Sequence, residues 1–310
     1  MPHDLKEVTE NLNLYLKYAI IIKKSEGVYM GIISFFHKIR IGFTRMGEAS
    51  VPYVNSAKRY GDRGEEEFIA NLQNYLPECK IKQNVIIMTN EGNAEIDCLV
   101  LYKNKLFAIE VKSWKGTIYE TDDGFVQNKI DRWTDEIHTK SYKSPFKQLG
   151  RAIYLLRKEN NVKAWVNAVV FFEKADQVSS KEGSACFLNL SDLVSYMEYE
   201  GEESNAENAV AFFQNCKEAD FLRGKNYNTL RSVICDSSLC FQKGNVCLRR
   251  NDILSIGVEH HWSYDVLTIQ TRDGKIFDIK EENAHIKVID NGNIYKLAFC
   301  KLDYIEIGKR

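Results

Sequence analysis

The spacing of apolar residues changes character three times along the chain. Over 4–45 it is helical, in two stretches broken near Ser25-Glu26-Gly27, and Arg45 to Tyr60 reads as a connector. From Gly61 the pattern predicts a helix over 62–76 and strands near 81–88, 95–101, 106–112 and 117–127. A second helix over 145–159 and an apolar strand from Ala164 to Phe172 follow. Leu190 to Tyr199 and Ala206 to Cys216 read as acidic surface helices. Beyond about 225 the pattern is β, with short runs at 253–258, 266–271, 275–279, 286–290 and 294–299, and with Asp273-Gly274 and Asn291-Gly292 as hairpin turns. Four parts are expected: an N-terminal helical region (1–60), an α/β domain (61–175), an acidic helical connector (176–224) and a small all-β C-terminal module (225–310).

The most informative stretch is Glu95-Ile96-Asp97-Cys98-Leu99-Val100-Leu101, a short polar turn, then Leu106-Phe107-Ala108-Ile109-Glu110-Val111-Lys112. With Lys103-Asn104 at the turn centre, Asp97 lies opposite Glu110 and Glu95 opposite Lys112. That register places Ile96, Cys98, Val100, Phe107, Ile109 and Val111 on one face. The other carries Leu99, Leu101, Leu106 and Ala108 near the turn, then Glu95, Asp97, Glu110 and Lys112 at the open end. A slip of one residue would break the sorting on one strand, so the pairing is well specified.

Opposed residues have Cβ atoms about 4.5–5.5 Å apart, and two carboxylates at that distance repel unless a positive charge joins them. A hard divalent cation, which takes carboxylate, water and phosphate oxygens, answers the need. Lys112 emerges on the same face, where an ammonium can meet developing charge. A Glu-x-Lys pair alone is common on solvated strands. The opposed aspartate, on a hairpin with such apolar flanks, gives it weight.

The helix opening at Gly61-Asp62-Arg63-Gly64-Glu65-Glu66-Glu67 offers three acids. Only Glu65 shares a stripe with Ile69, Leu72 and Leu76, so it faces the core or a cavity beside it. Glu66 and Glu67 point to solvent, where acids complement a helix N-terminus. The second helix starts at Ser144-Pro145, and places Gln148 at the edge of its apolar face. Lys143, Lys147 and Arg151 beside it form a candidate phosphate-contacting edge.

Composition narrows the class. The chain has 310 residues, 44% of them hydrophobic and 27% charged, and no low-complexity tract, as in a globular protein. Its apolar windows are too short to span a bilayer and no secretory leader is apparent, and the helix around Val28 to Arg40 is expected as a buried or domain-packing helix before a membrane-surface one. Eight cysteines without a regular framework then read as reduced thiols in a cytoplasmic protein. Cys235, Cys240 and Cys247, with His260 and His261 downstream, lack a Cys-x-x-Cys pair and read as ordinary thiols before zinc ligands. The net charge of −1 argues against nonspecific coating of nucleic acid and leaves room for a local basic groove.

Taken in order, Gly-x-x-Gly-Glu at 61–65, Glu-Ile-Asp at 95–97, Ile-Glu-Val-Lys at 109–112, Pro-x-x-Gln at 145–148 and Val-Val-Phe-Phe at 169–172 resemble the nuclease-related (NERD) domain of the PD-(D/E)XK superfamily, over about 61–173. The resemblance implies a restriction-endonuclease-like core, a mixed sheet flanked by helices. It also implies Mg²⁺- or Mn²⁺-dependent cleavage of nucleic acid, DNA in the first place, with a defence role by analogy. Asp97 and Glu110 would hold the metal with the Val111 carbonyl. Lys112 would orient or activate water, Glu65 would assist the metal, and Gln148 would fill the polar position of the following helix. The tyrosine that RecB-like nucleases carry four residues past the glutamine is here Ala152, which does not support a processive activity of that kind. A catalytically silent module that binds nucleic acid or a partner is the alternative, and self-association is compatible with both.

Overall fold

The protein is described from a computed structural model that covers residues 26–51, 56–131, 133–225, 227–290 and 293–308. The helical stretch expected before Ser25 and the Asn291-Gly292 turn lie outside these residues. The described residues form two compact units, one from residue 56 to Ala219 and a second that unites 26–51 with Asp220–Ile307.

In the α/β unit, α2 (Ser56–Tyr75) leads into β1 (Lys80–Thr89), β2 (Gly92–Tyr102) and β3 (Lys105–Lys112), and α3 (Pro145–Glu159) leads into β7 (Val166–Phe172). With β9 (Cys186–Phe187) these strands make a five-stranded sheet, order β1-β2-β3-β7-β9. β1, β2 and β3 are antiparallel neighbours, and β3, β7 and β9 are parallel ones.

Two apolar layers cover the sheet. On one side Leu149, Ala152, Ile153, Leu155 and Leu156 of α3 pack on Leu99, Leu101, Leu106, Ala108 and Val170. On the other, Phe68, Ile69, Leu72 and Leu76 of α2 pack on Cys98, Val100, Phe107, Ile109 and Val111. The polar stretch expected as one strand over 117–127 is two strands, β4 (Gly116–Glu120) and β5 (Gly124–Ile130). β6 (Ile137–Lys143) and β8 (Ala175–Ser179) complete a second sheet of order β6-β5-β4-β8. The apolar alternation had not marked β6, because almost all of its side chains are exposed.

The acidic segment after 176 is not a connector. Leu193 and Met197, on α4 (Leu190–Ser195) and the π-helical turn that extends it, are fully buried on the α2 side. Ala209, Phe212 and Phe213 of α5 (Ala206–Asn215) are buried on the α3 side. Acids such as Glu198, Glu200 and Glu207 sit on the outer faces of these elements and mask the apolar stripe in composition. Lys82 reaches the C-terminal end of α5, donating to the Gln214 carbonyl at 3.1 Å and to that of Cys216, where a cation meets the negative end of the helix.

The second unit contains α1 (Glu26–Met46) and an eight-stranded sheet. In chain order its strands are β10 (Asp220–Gly224), β11 (Thr229–Ile234), β14 (Ile253–His260), β15 (Asp265–Thr271), β16 (Ile276–Glu281), β17 (His285–Asp290), β18 (Asn293–Ala298) and β19 (Leu302–Glu306). Residues 26–51 therefore belong with the C-terminal β region rather than forming a part of their own. A buried ion pair, Arg45 with Asp265, ties α1 to this sheet, and a second, Arg250 with Asp220, lies within the β region itself. Among the described residues no helix is long and apolar enough to cross a membrane.

Candidate active site

The hairpin has the expected register, from Cys98↔Ile109 to Tyr102↔Lys105. Pairing between β2 and β3 then stops. β2 continues along β1 as far as Thr89↔Gly92, and β3 continues along β7 as far as Lys112↔Phe172. The central strands fork beyond Cys98 and Ile109, with Asp97, Glu110 and Lys112 in the crotch.

Within the fork, Asp97 does not simply stand across from Glu110. Its Oδ2 accepts a hydrogen bond from the Val111 amide at 3.0 Å. The carboxylate occupies the seam, where the ladder would otherwise continue. Because the N–H and C=O of a strand residue project to the same edge, the Val111 carbonyl also faces the fork.

Asn84 contributes to this geometry. It lies across β1 from Asp97, between the pairs Gln83↔Cys98 and Val85↔Ile96, and takes a left-handed φ of 48°. The alternation of side chains inverts here. Ile96, expected beside Cys98, packs instead with Leu99 and Leu101 in the α3-side layer, as does Ala94. By alternation Glu95 then turns to the α2 side. Nothing in the apolar pattern announces this inversion, since the register itself does not shift.

Charge is concentrated in the fork. Burial, and then the neighbouring Glu110 charge, push the Asp97 carboxyl up to about 7, against the pull of Lys112 and the Val111 amide. Burial also raises Glu110, although Lys112 lowers it through charge and a 2.5 Å contact. Burial alone would lower Lys112, but Glu110 and Asp97 outweigh it and hold the ammonium above its ordinary range. Glu110 is only 1% exposed, yet its Oε2 has no hydrogen-bond partner, and neither does the buried Oε1 of Glu95. Glu95, expected on the same face as Glu110 and opposite Lys112, therefore acts on the group from the α2 side, where its charge raises Asp97 and Glu110.

Glu65 also reaches the group, for its charge raises both Glu110 and Lys112. It is half-buried, whereas Glu66 and Glu67 are exposed, as the helical stripe requires. The approach of α2 depends on Gly64, because a Cβ there would collide with the Glu173 carboxylate and the Ser113 hydroxyl. Those two groups are hydrogen-bonded to each other at 2.8 Å, just beyond the ends of β7 and β3.

The α3 edge is separate from this group. Gln148, Lys143 and Lys147 are exposed, and among the described residues no hydrogen bond or ion pair joins Gln148 to the carboxylates. Arg151 donates to the Glu91 carbonyl at 3.1 Å, at the β1–β2 turn.

Among the described residues no three His, Cys, Asp or Glu side chains form a closed metal-holding set. The donor chemistry nevertheless fits a hard divalent cation. Mg²⁺ binds through one or two carboxylates and keeps several waters, and two buried carboxylate oxygens here lack any donor.

A mixed sheet between helical layers, with acids and a lysine on forked central strands, defines a restriction-endonuclease-like core. Residues 60–173 match the model of the nuclease-related domain, and this part of the chain, a little over a third, is a nuclease-related domain. Neither the curated proteins nor the solved structures contain a match to the chain.

Proposed function

We propose that the nuclease-related domain hydrolyses phosphodiester bonds of nucleic acid, DNA in the first place, in a reaction that depends on Mg²⁺ or Mn²⁺. The observation that carries this reading is the pair of unpartnered buried carboxylate oxygens, on Glu110 and Glu95, beside a carboxyl raised to about 7. Sites that hold acids so far from their ordinary range store electrostatic cost, which a divalent cation relieves. Asp97 and Glu110 would hold the ion, with the Val111 carbonyl at the same edge and Glu65 and Glu95 adding negative field. The chemistry supplied by the bound ion is polarisation of the phosphate and a water acidic enough to attack near neutral pH.

Lys112 keeps its proton throughout, since its acidic neighbours raise it. Its contact with Glu110 balances charge in the metal-free fork. Once Glu110 is engaged elsewhere, the ammonium of this side chain, which is 22% exposed, is placed to donate to a phosphate oxygen as charge develops there. Defence against foreign DNA is the biological extension of this activity, and transformation by unmodified plasmid in cells with and without the protein tests it.

The decisive experiment incubates the full chain with plasmid in Mg²⁺, Mn²⁺ or EDTA. Cleavage should require the metal and disappear in Asp97→Ala and Lys112→Ala, with circular dichroism unchanged. Binding of DNA by the wild-type chain without cleavage in either metal would refute the enzyme and favour the silent binding module.

A further inference from the structure

The second sheet of the α/β unit grows directly out of the fork. β4 begins at Gly116 and β8 at Ala175, shortly after the ends of β3 and β7. An open groove of about 950 Å³ lies on this sheet, and Lys115, Lys129, Lys174 and Trp133 are among its lining residues. Lys115 is three residues beyond Lys112, so their Cα atoms are at most about 10 Å apart along the chain. Lys174 follows Glu173, which accepts from Ser113 of the same post-β3 loop. Two lining residues of the groove, Lys115 and Lys174, thus follow within three residues the ends of the strands that bound the fork.

Trp133, at the β5–β6 turn, is 95% exposed, which is unusual for so large an apolar side chain. The turn that presents it is well tied. Asp131 Oδ1 accepts from the Trp133 amide at 2.8 Å and the Thr134 amide at 3.2 Å, and the Asp131 amide donates to the Glu136 carbonyl at 2.8 Å. Trp133 is thus presented to solvent beside the lysines of the groove.

Groove charge decides what fits. Asp131, Asp135 and Asp176 line it together with the three lysines, so it has no net positive charge. Duplex DNA, whose nonspecific binding comes almost wholly from phosphate neutralisation, gains little from such a surface. An unpaired strand differs, because its bases can stack on an indole whatever their sequence, a contribution that needs no net positive charge. We propose that this groove binds single-stranded nucleic acid leading to or from the fork, with Trp133 as its stacking platform. The inference rests on the nuclease reading for its purpose, but its test does not.

The test uses the full chain in EDTA and fluorescence anisotropy with a labelled oligo-dT of about 12 nucleotides, within the span of known single-strand grooves, and a duplex of equal length. The strand should bind more tightly than the duplex. Trp133→Ala should weaken strand binding by about 5- to 100-fold, and Trp133→Phe should restore most of it. Strand affinity unchanged in Trp133→Ala, or a duplex bound as tightly as the strand, overturns the groove even where the wild type cleaves in Mg²⁺. Trp133-dependent strand binding by a chain that cleaves in no metal supports the groove and removes the nuclease reading instead.

Discussion

Replacing Asp97 by asparagine should make the metal-free protein more stable while abolishing cleavage. In the native protein this carboxyl keeps its proton up to about pH 7, whereas its ordinary value, which the unfolded chain has, is 3.8. Below 3.8 both states are protonated and the site costs nothing. As pH rises through the interval, the native state binds more protons than the unfolded one, so stability falls, and it levels off above 7. At 1.36 kcal/mol per pH unit the full interval amounts to at most about 4 kcal/mol. The amide oxygen of the introduced asparagine can still accept from the Val111 amide, so the substitution removes charge without removing that hydrogen bond. Urea unfolding in EDTA, followed by tryptophan fluorescence, reads the difference, since Trp114, Trp133 and Trp165 all belong to the α/β unit. The variant should gain stability at pH 8 and match the wild type near pH 4. Mg²⁺ should narrow the gap at pH 8, because ligand at a hundred times its Kd stabilises the binding-competent protein by about 2.7 kcal/mol. Equal stability at pH 8, or a gain of the same size at pH 4, would refute the account of a strained buried carboxyl.

Three further outcomes follow from the same geometry. Glu65→Gln should reduce cleavage by about 10- to 100-fold, the range for groups that support a metal site, while Glu66→Gln is nearly silent; equal losses would defeat the helical-face argument. Glu95→Gln should move the Asp97 titration slightly to the acid side, because the Glu95 charge is one of the causes raising it; carboxyl NMR titration in EDTA reads the direction, and a basic shift contradicts it. In the other unit, Asp220→Ala removes the buried carboxylate that faces Arg250 and leaves the exposed Asp236, at 3.5 Å, as its carboxylate partner, and should cost about 3–5 kcal/mol by urea unfolding. A loss below about 1 kcal/mol would show that this pair is not what fixes β10 against the Arg250 segment.

The sequence by itself determined the β2–β3 register, because a period of two sorts large apolar side chains so sharply that only one alignment buries them. It also singled out Glu65 from its neighbours, since a helix turns about 100° per residue and one acid fell on the apolar stripe. Both are local periodicities, written wherever an element has a buried face. Tertiary structure alone decided that the hairpin opens at Asp97, that the alternation inverts beside Asn84, and that Glu95 acts on the group from the α2 side of the sheet. It likewise decided that the acidic segment around Phe212 belongs to the α/β core and that residues 26–51 join the strands after 220. Periodicity states which side of an element is buried but not against what. Partner strands and helices far apart in the chain are selected by long-range packing, which no short stretch of sequence records.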